Sequence, residues 1–151
     1  DFSETQWIQG TARLLKVISE AADHVYVLRG TPRLPFDGPN CLSSQSWLPA
    51  LHPWREHCSA SAFQRQDDDV YQWLQQASLG FSNVSMLDMN DAICPGNRCD
   101  AQRDGEVIFR DSQHMTATFV ESLSAELSRR MNHVYTPART GEPSEKAALA
   151  R

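Results

Sequence analysis

The sequence predicts an α/β domain in which parallel strands are flanked by helices, and three observations carry that prediction. Two short runs, His24-Val25-Tyr26-Val27-Leu28 and Asn83-Val84-Ser85-Met86-Leu87-Asp88, are rich in β-formers. The first shows no alternation of polar and apolar residues, the pattern of a strand buried in a parallel sheet. Each run follows a stretch with the apolar spacing of a helix. Helix, strand and loop in that order make half of a βαβ unit, and the order occurs twice.

The first helix is expected over residues 5–23. Ile8, Thr11, Leu15, Ile18 and Ala22 share one face, and Trp7, Leu14 and Ala21 widen it. Gly30, Pro32, Pro35 and Pro39 end the first strand and begin a long loop. Asp67, Asp68 and Asp69 sit where a helix N-terminus favours negative charge. Val70, Trp73, Leu74 and Ala77 continue that helix, and Gly80 is placed to cap its end. After the second strand, residues 106–110 contain a shorter candidate, Val107-Ile108-Phe109. The last helix is expected over 118–131, with Phe119, Val120, Leu123 and Leu127 on one face. Thr118 and Glu121 fit a capping box, and Arg129 and Arg130 suit the last turn. Pro, Gly and charge dominate 136–151, which reads as a flexible tail. Two clear strands and a short third are fewer than the roughly five or six of a doubly wound sheet. Residues 1–135 therefore read as the C-terminal part of an α/β domain, with its N-terminal strands missing.

Composition narrows the class. The chain has 151 residues, enough for one core, and a net charge of −5. No basic stripe exists to bind phosphates, so a nucleic-acid partner is not expected. No apolar run reaches the roughly 20 residues of a membrane span. The first residue is Asp1, so the chain is expected to be a processed product or a piece of a longer protein. Cys94 and Cys99 bracket the turn-rich Pro95-Gly96-Asn97-Arg98, and Cys41 and Cys58 flank a loop rich in Pro and Ser. Disulfides 94–99 and 41–58 would imply an oxidising compartment, and the longer would stabilise by roughly 3 kcal/mol. A four-cysteine zinc site and free buried thiols are the alternatives.

The chemistry centres on Arg110-Asp111-Ser112-Gln113-His114-Met115-Thr116. A carboxylate three positions before a histidine, at the entry to a helix, can orient the ring and stabilise its cationic form. That is the acid–base half of a nucleophilic triad. The plain alternative is a surface histidine with a solvated partner. Ser112 reads as a turn residue rather than as the nucleophile. His52, His57 and Cys58 suggest a metal only weakly, and His52-Pro53-Trp54 reads better as a loop anchor. Trp7 and Trp73 fit helix cores, whereas Trp47 and Trp54 lie in a loop and are candidates to stack on sugar rings. No cofactor and no metal are expected.

In order, the chain offers a strand ending near Gly30-Thr31-Pro32, then Pro39-Asn40-Cys41-Leu42, a strand ending at Asp88, Cys94-Pro95 with Cys99, and the Asp111–His114 turn. Over residues 1–132 this resembles the C-terminal half of the SGNH hydrolase-like domain fused to bacterial acyltransferase-three proteins. Those proteins are similar to O-acetylases of lipopolysaccharide and peptidoglycan. The resemblance implies a partial flavodoxin-like, three-layer fold, His114 as catalytic histidine and Asp111 as the acid that holds it. It also implies that the cysteines match the family's periplasmic disulfides. The implied partners are a glycan acceptor and an acetyl donor delivered by a membrane acyltransferase domain, on the periplasmic side of the inner membrane. Ser112 stands where the family often has a second Asp, and Met115-Thr116 where it often has Leu-Ser. The family's Gly-Asp-Ser nucleophile block does not occur in the sequence. Asn90-Asp91 is superficially like its asparagine block but follows the wrong strand. The chain alone is therefore expected to be inactive. A secreted carbohydrate esterase and a non-enzymatic remnant or binding module are the alternatives.

Overall fold

The computed structural model describes residues 3–46, 58–61 and 65–134. The expected tail, 136–151, lies outside them, as do Trp47, His52, Trp54 and His57. Helix α1 spans Glu4–Ala21 and opens with a capping box in which Ser3 and Gln6 satisfy each other's backbone N–H groups. Strand β1 is Val25–Leu28. Helix α2 covers Gly38–Ser46, and strand β2 is Ser59–Ser61. Helix α3, Arg65–Ser78, leads to strand β3, Val84–Leu87. Short helix α4, Asn90–Ile93, and a 3₁₀ turn over Pro95–Asn97 precede β4, Arg98–Asp100. Strands β5, Gln102–Arg103, and β6, Glu106–Val107, form a hairpin, and helices α5, Ala117–Ser122, and α6, Ser124–Val134, follow.

The fold is mixed α/β. Strands β1 and β3 pair in parallel, Val25 opposite Val84 through Leu28 opposite Leu87. Two antiparallel pairs accompany them, β2 with β4 and β5 with β6. Helix α1 packs on α3, while α3 and α6 both contact β3. Trp7 and Trp73 meet at the α1–α3 seam, ring centroids 6.2 Å apart. Asn83 ties α1 to the sheet. Its amide donates to the Ser19 and Ala22 carbonyls at the helix end, and its own carbonyl accepts from Val25 N–H.

Several local expectations need correction. The parallel strands are not buried on both faces: Leu28 is 50% exposed, and Leu87 is the fully buried residue of the pair. Leu14 and Ile18 of α1 are exposed rather than in a core, since Leu15 alone on that helix is buried. Gly38–Ser46 is a helix and not loop, because Pro39 stands in its first turn, where a missing N–H costs nothing. Gly80 is not among the left-handed residues; Gly96 and Gly105, in the turns of the second half, are. Ile108 and Phe109 lie beyond the short strand β6, and Phe109 pairs singly with Met115. The last helix breaks at Leu123, and its cap is Thr116, which accepts from Phe119 N–H.

The deep core lies in the second half of the chain. Ile93, Cys94, Cys99, Ala101, Ile108 and Phe109 are essentially inaccessible, and Leu34, Cys58, Met89 and Phe119 join them. All four cysteines are in disulfides, Cys41–Cys58 and Cys94–Cys99, so none is available as a zinc ligand. The first clips α2 onto the turn before β2, and the second closes the turn between α4 and β4. This cross-linked core is the platform beneath the Asp111–His114 turn.

Candidate active site

The turn is held at both ends. Phe109 bridges Met115, Arg110 N–H donates to the His114 carbonyl at 2.9 Å, and Thr116 N–H donates to the Ile108 carbonyl at 2.8 Å. The Thr116 hydroxyl adds a bond to the Val107 carbonyl at 2.7 Å. Across the turn, Leu34 N–H donates to the Ser112 carbonyl at 2.9 Å, which pins the segment after β1 against it. Gly38 allows the close fit, since a Cβ there would stand 3.0 Å from the Phe109 carbonyl oxygen. The ends of the turn that carries His114 are thus tied mainly through backbone groups anchored in the core.

Within the turn, Asp111 is the hub. One carboxylate oxygen accepts from the backbone N–H groups of Gln113 and His114, at 2.6 and 2.7 Å. The other lies 2.8 Å from His114 Nδ1. This arrangement favours the tautomer with the proton on Nδ1 and leaves Nε2 without a partner among the described residues. The His114 side chain is 62% exposed, so that nitrogen is reachable.

The Gln113 N–H, then the His114 N–H and ring, hold the Asp111 carboxyl at about 2, below its ordinary 3.8. A depressed carboxyl stabilises the fold above its unfolded pKa. That contribution is lost as pH falls from about 4 through about 2. Carbon-detected NMR titration should therefore give Asp111 a midpoint near 2, with the Gln113 and His114 amides moving in step. A midpoint at the ordinary carboxylate value would mean that the turn does not hold its hub in solution.

His114 opens onto a cleft of about 380 Å³ lined also by Gly30, Thr31, Arg33, Tyr71, Leu74 and Gln113. Burial pushes the Tyr71 phenol up, the Asp88 charge adds to this and Arg29 opposes it. Tyr71 is therefore a neutral hydroxyl donor here. The Arg29 guanidinium lies 4.5 Å from the Tyr71 ring centre and is bonded to Asp88 at 2.7 Å. That pair joins the ends of the two parallel strands and braces one side of the cleft.

Asp111 and His114 are thus together. Ser112 meets the segment after β1 through its carbonyl and does not line the cleft. Asn90-Asp91 stands apart from the cleft lining as well. Asn90 is buried in α4, and Asp91 takes a two-pronged bond from Arg130 at 2.7 and 2.9 Å. Asp67, Asp68 and Asp69 fall in the first turns of α3, as expected for charge at a helix N-terminus. Trp47 and Trp54, the candidate sugar-stacking residues, lie outside the described residues. Thr31 entered the sequence reading only as part of the Gly30-Thr31-Pro32 strand end, and Arg33 and Tyr71 did not enter it. The signal for Thr31 and Arg33 as site residues was their place just after a strand, where ligands of open α/β sheets collect. Among the described residues no group of His, Cys, Asp and Glu is arranged to hold a metal ion, and no helix is long and apolar enough to cross a membrane.

A family model described as "SGNH domain (fused to AT3 domains)" matches residues 2–129. No curated protein and no solved structure matches the chain.

Proposed function

Because the chain belongs to the family of SGNH domains fused to AT3 domains, we propose that it supplies the acid–base half of a glycan O-acetyltransferase site. Asp111 and His114 are its catalytic pair. The acetyl donor is delivered by a membrane acyltransferase domain, and the acceptor is a hydroxyl of a cell-surface sugar. The observation that carries this reading is the 2.8 Å contact of Asp111 with His114 Nδ1, with the other ring nitrogen left available beside a cleft. A serine hydroxyl placed against Nε2 gives its proton to the ring as its oxygen attacks the acetyl carbonyl. The imidazolium, held by Asp111, returns the proton to the departing donor oxygen. In the second half Nε2 takes the sugar hydroxyl's proton, the sugar oxygen attacks the acetyl-serine, and the proton passes to the serine.

The serine is assigned to a Gly-Asp-Ser strand outside this sequence, within a flavodoxin-like domain that this chain completes. Two features support an added part. Leu28, half exposed on β1, lines an apolar groove of about 550 Å³ with Met89, Met115 and Val120. Leu14, Val17 and Ile18 expose apolar surface on α1. Two disulfides suit a periplasmic address.

The test is acceptor partitioning in the longer protein carrying that strand, given an activated acetyl ester and a cell-wall oligosaccharide. Acetylated sugar by mass spectrometry is the expected product. Free acetate alone, with acceptor in excess, would replace the transferase reading with the esterase one.

A further inference from the structure

The cleft beside His114 holds a cation that nothing in the mechanism above uses. Arg33 is exposed and lines the cleft, whose other residues include no carboxylate. Elsewhere among the described residues, Arg29, Arg98, Arg110, Arg129 and Arg130 each lie within ion-pair distance of an acid. Arg33, like Arg13, Lys16 and Arg103, has no such partner among them, and of these four it is the one that lines the cleft, in a chain whose net charge is −5.

Its position is not loose. Pro32 and Leu34 on either side are buried, so the backbone of Arg33 is fixed at two points while its own side chain faces out. The Leu34 bond to the Ser112 carbonyl ties this backbone to the turn that carries His114. Base and cation therefore share one rigid frame. Around them stand donors and acceptors suited to sugar hydroxyls, Thr31, Tyr71 and Gln113, with Val70 and Leu74 as an apolar wall. A guanidinium is a fork that matches a carboxylate or phosphate in two places.

The geometry points to an acceptor sugar that carries an anionic group, a carboxylate or a phosphate, seated on Arg33 with a hydroxyl turned to His114. This rests on the acyl-transfer reading and specifies its acceptor. Arg33 is the specificity-determining residue and takes no part in bond making.

The test is equilibrium binding at low ionic strength to the longer protein proposed above, followed by NMR on the His114 ring and the Arg33 side chain. The probes are methyl β-glucoside, methyl β-glucuronide and methyl glucoside 6-phosphate. At least one charged probe should bind about tenfold more tightly than the neutral one, the effect of one charge-assisted contact. Arg33→Gln should abolish that preference, and Arg33→Lys should keep part of it, since lysine preserves charge but not the fork. Preference for the glucuronide identifies a uronic-acid type of acceptor, preference for the phosphate a phosphorylated one, and either supports the proposal. Equal binding of charged and neutral probes, no binding of any, or a preference that survives Arg33→Gln overturns it. Amide spectra of the variants establish that they are folded. Failure here leaves untouched the dependence of ester turnover on His114. Loss of that dependence with the Arg33 preference intact would sink the acyl-transfer reading alone.

Discussion

In a longer protein carrying the proposed Gly-Asp-Ser strand, His114→Ala should lower kcat/KM toward an activated acetyl ester by about 10³-fold or more. The magnitude follows from the number of proton transfers assigned to one nitrogen. Without the ring, neither the serine nor the sugar hydroxyl has an acceptor for its proton, and neither leaving oxygen has a donor. The fold should be unaffected, because the His114 side chain is 62% exposed and its backbone bonds persist in alanine. On the proposed mechanism the 151-residue chain by itself should turn over at background, because its sequence holds no Gly-Asp-Ser block. Initial rates with and without the substitution, alongside circular dichroism, decide the matter. Full activity in the His114→Ala protein would leave the pair as a feature of the turn with no part in chemistry. Ester hydrolysis by the short chain that survives the same substitution would place the site elsewhere.

The second large effect concerns the platform. Phe109→Ala should cost about 3–5 kcal/mol of folding free energy, the range for deleting a fully buried aromatic ring. Phe109 is 0% exposed and sits where the core meets the turn, bridged to Met115 and in contact range of Gly38. The cavity left there cannot easily collapse, because its walls include residues held by two disulfides. Such a loss is a large share of the stability of a domain this size. Urea denaturation of the longer protein measures it, with Val107→Ala as the control, since Val107 is 36% exposed and should lose under about 1 kcal/mol. Similar midpoints for the two variants would mean that the core does not lie beneath the turn.

Much of this arrangement was legible in residues close together in the chain. The two parallel strands announce themselves through Val25, Tyr26 and Val27 and through Val84 to Leu87, and they pair in register. Asp111 and His114 are three positions apart, so a single turn brings them together and their partnership needs no tertiary knowledge. What escaped was of two kinds. Some signals were ambiguous locally. Pro39 reads as a helix breaker unless the helix is known to begin beside it, and Thr116 and Thr118 are equally able to cap by composition. Other features depend on distant segments meeting. The Arg29–Asp88 bond joins residues 59 positions apart, and nothing near either one marks the other as its partner. The cleft is of this second kind, since Arg33, Tyr71 and His114 come from three separate stretches. The shallow burial of α1 likewise could not be read from its apolar spacing, which marks a face for packing without saying what covers it.

The Cys41–Cys58 bridge also bears on the order in which the molecule assembles. It lies wholly inside the connection between the two parallel strands. Parallel pairing requires a long connection to close before any ladder bond is gained, which makes it a late and slow event. The bridge cuts that connection from 59 links, counted between Arg29 and Asp88, to about 43. By the logarithmic law of loop closure this is worth only about 0.3 kcal/mol, less than a twofold gain in rate. Its larger effect of roughly 3 kcal/mol falls on the unfolded ensemble as a whole. Oxidation before or after strand pairing should therefore change the pace of folding little, while deciding how long the paired strands persist once formed.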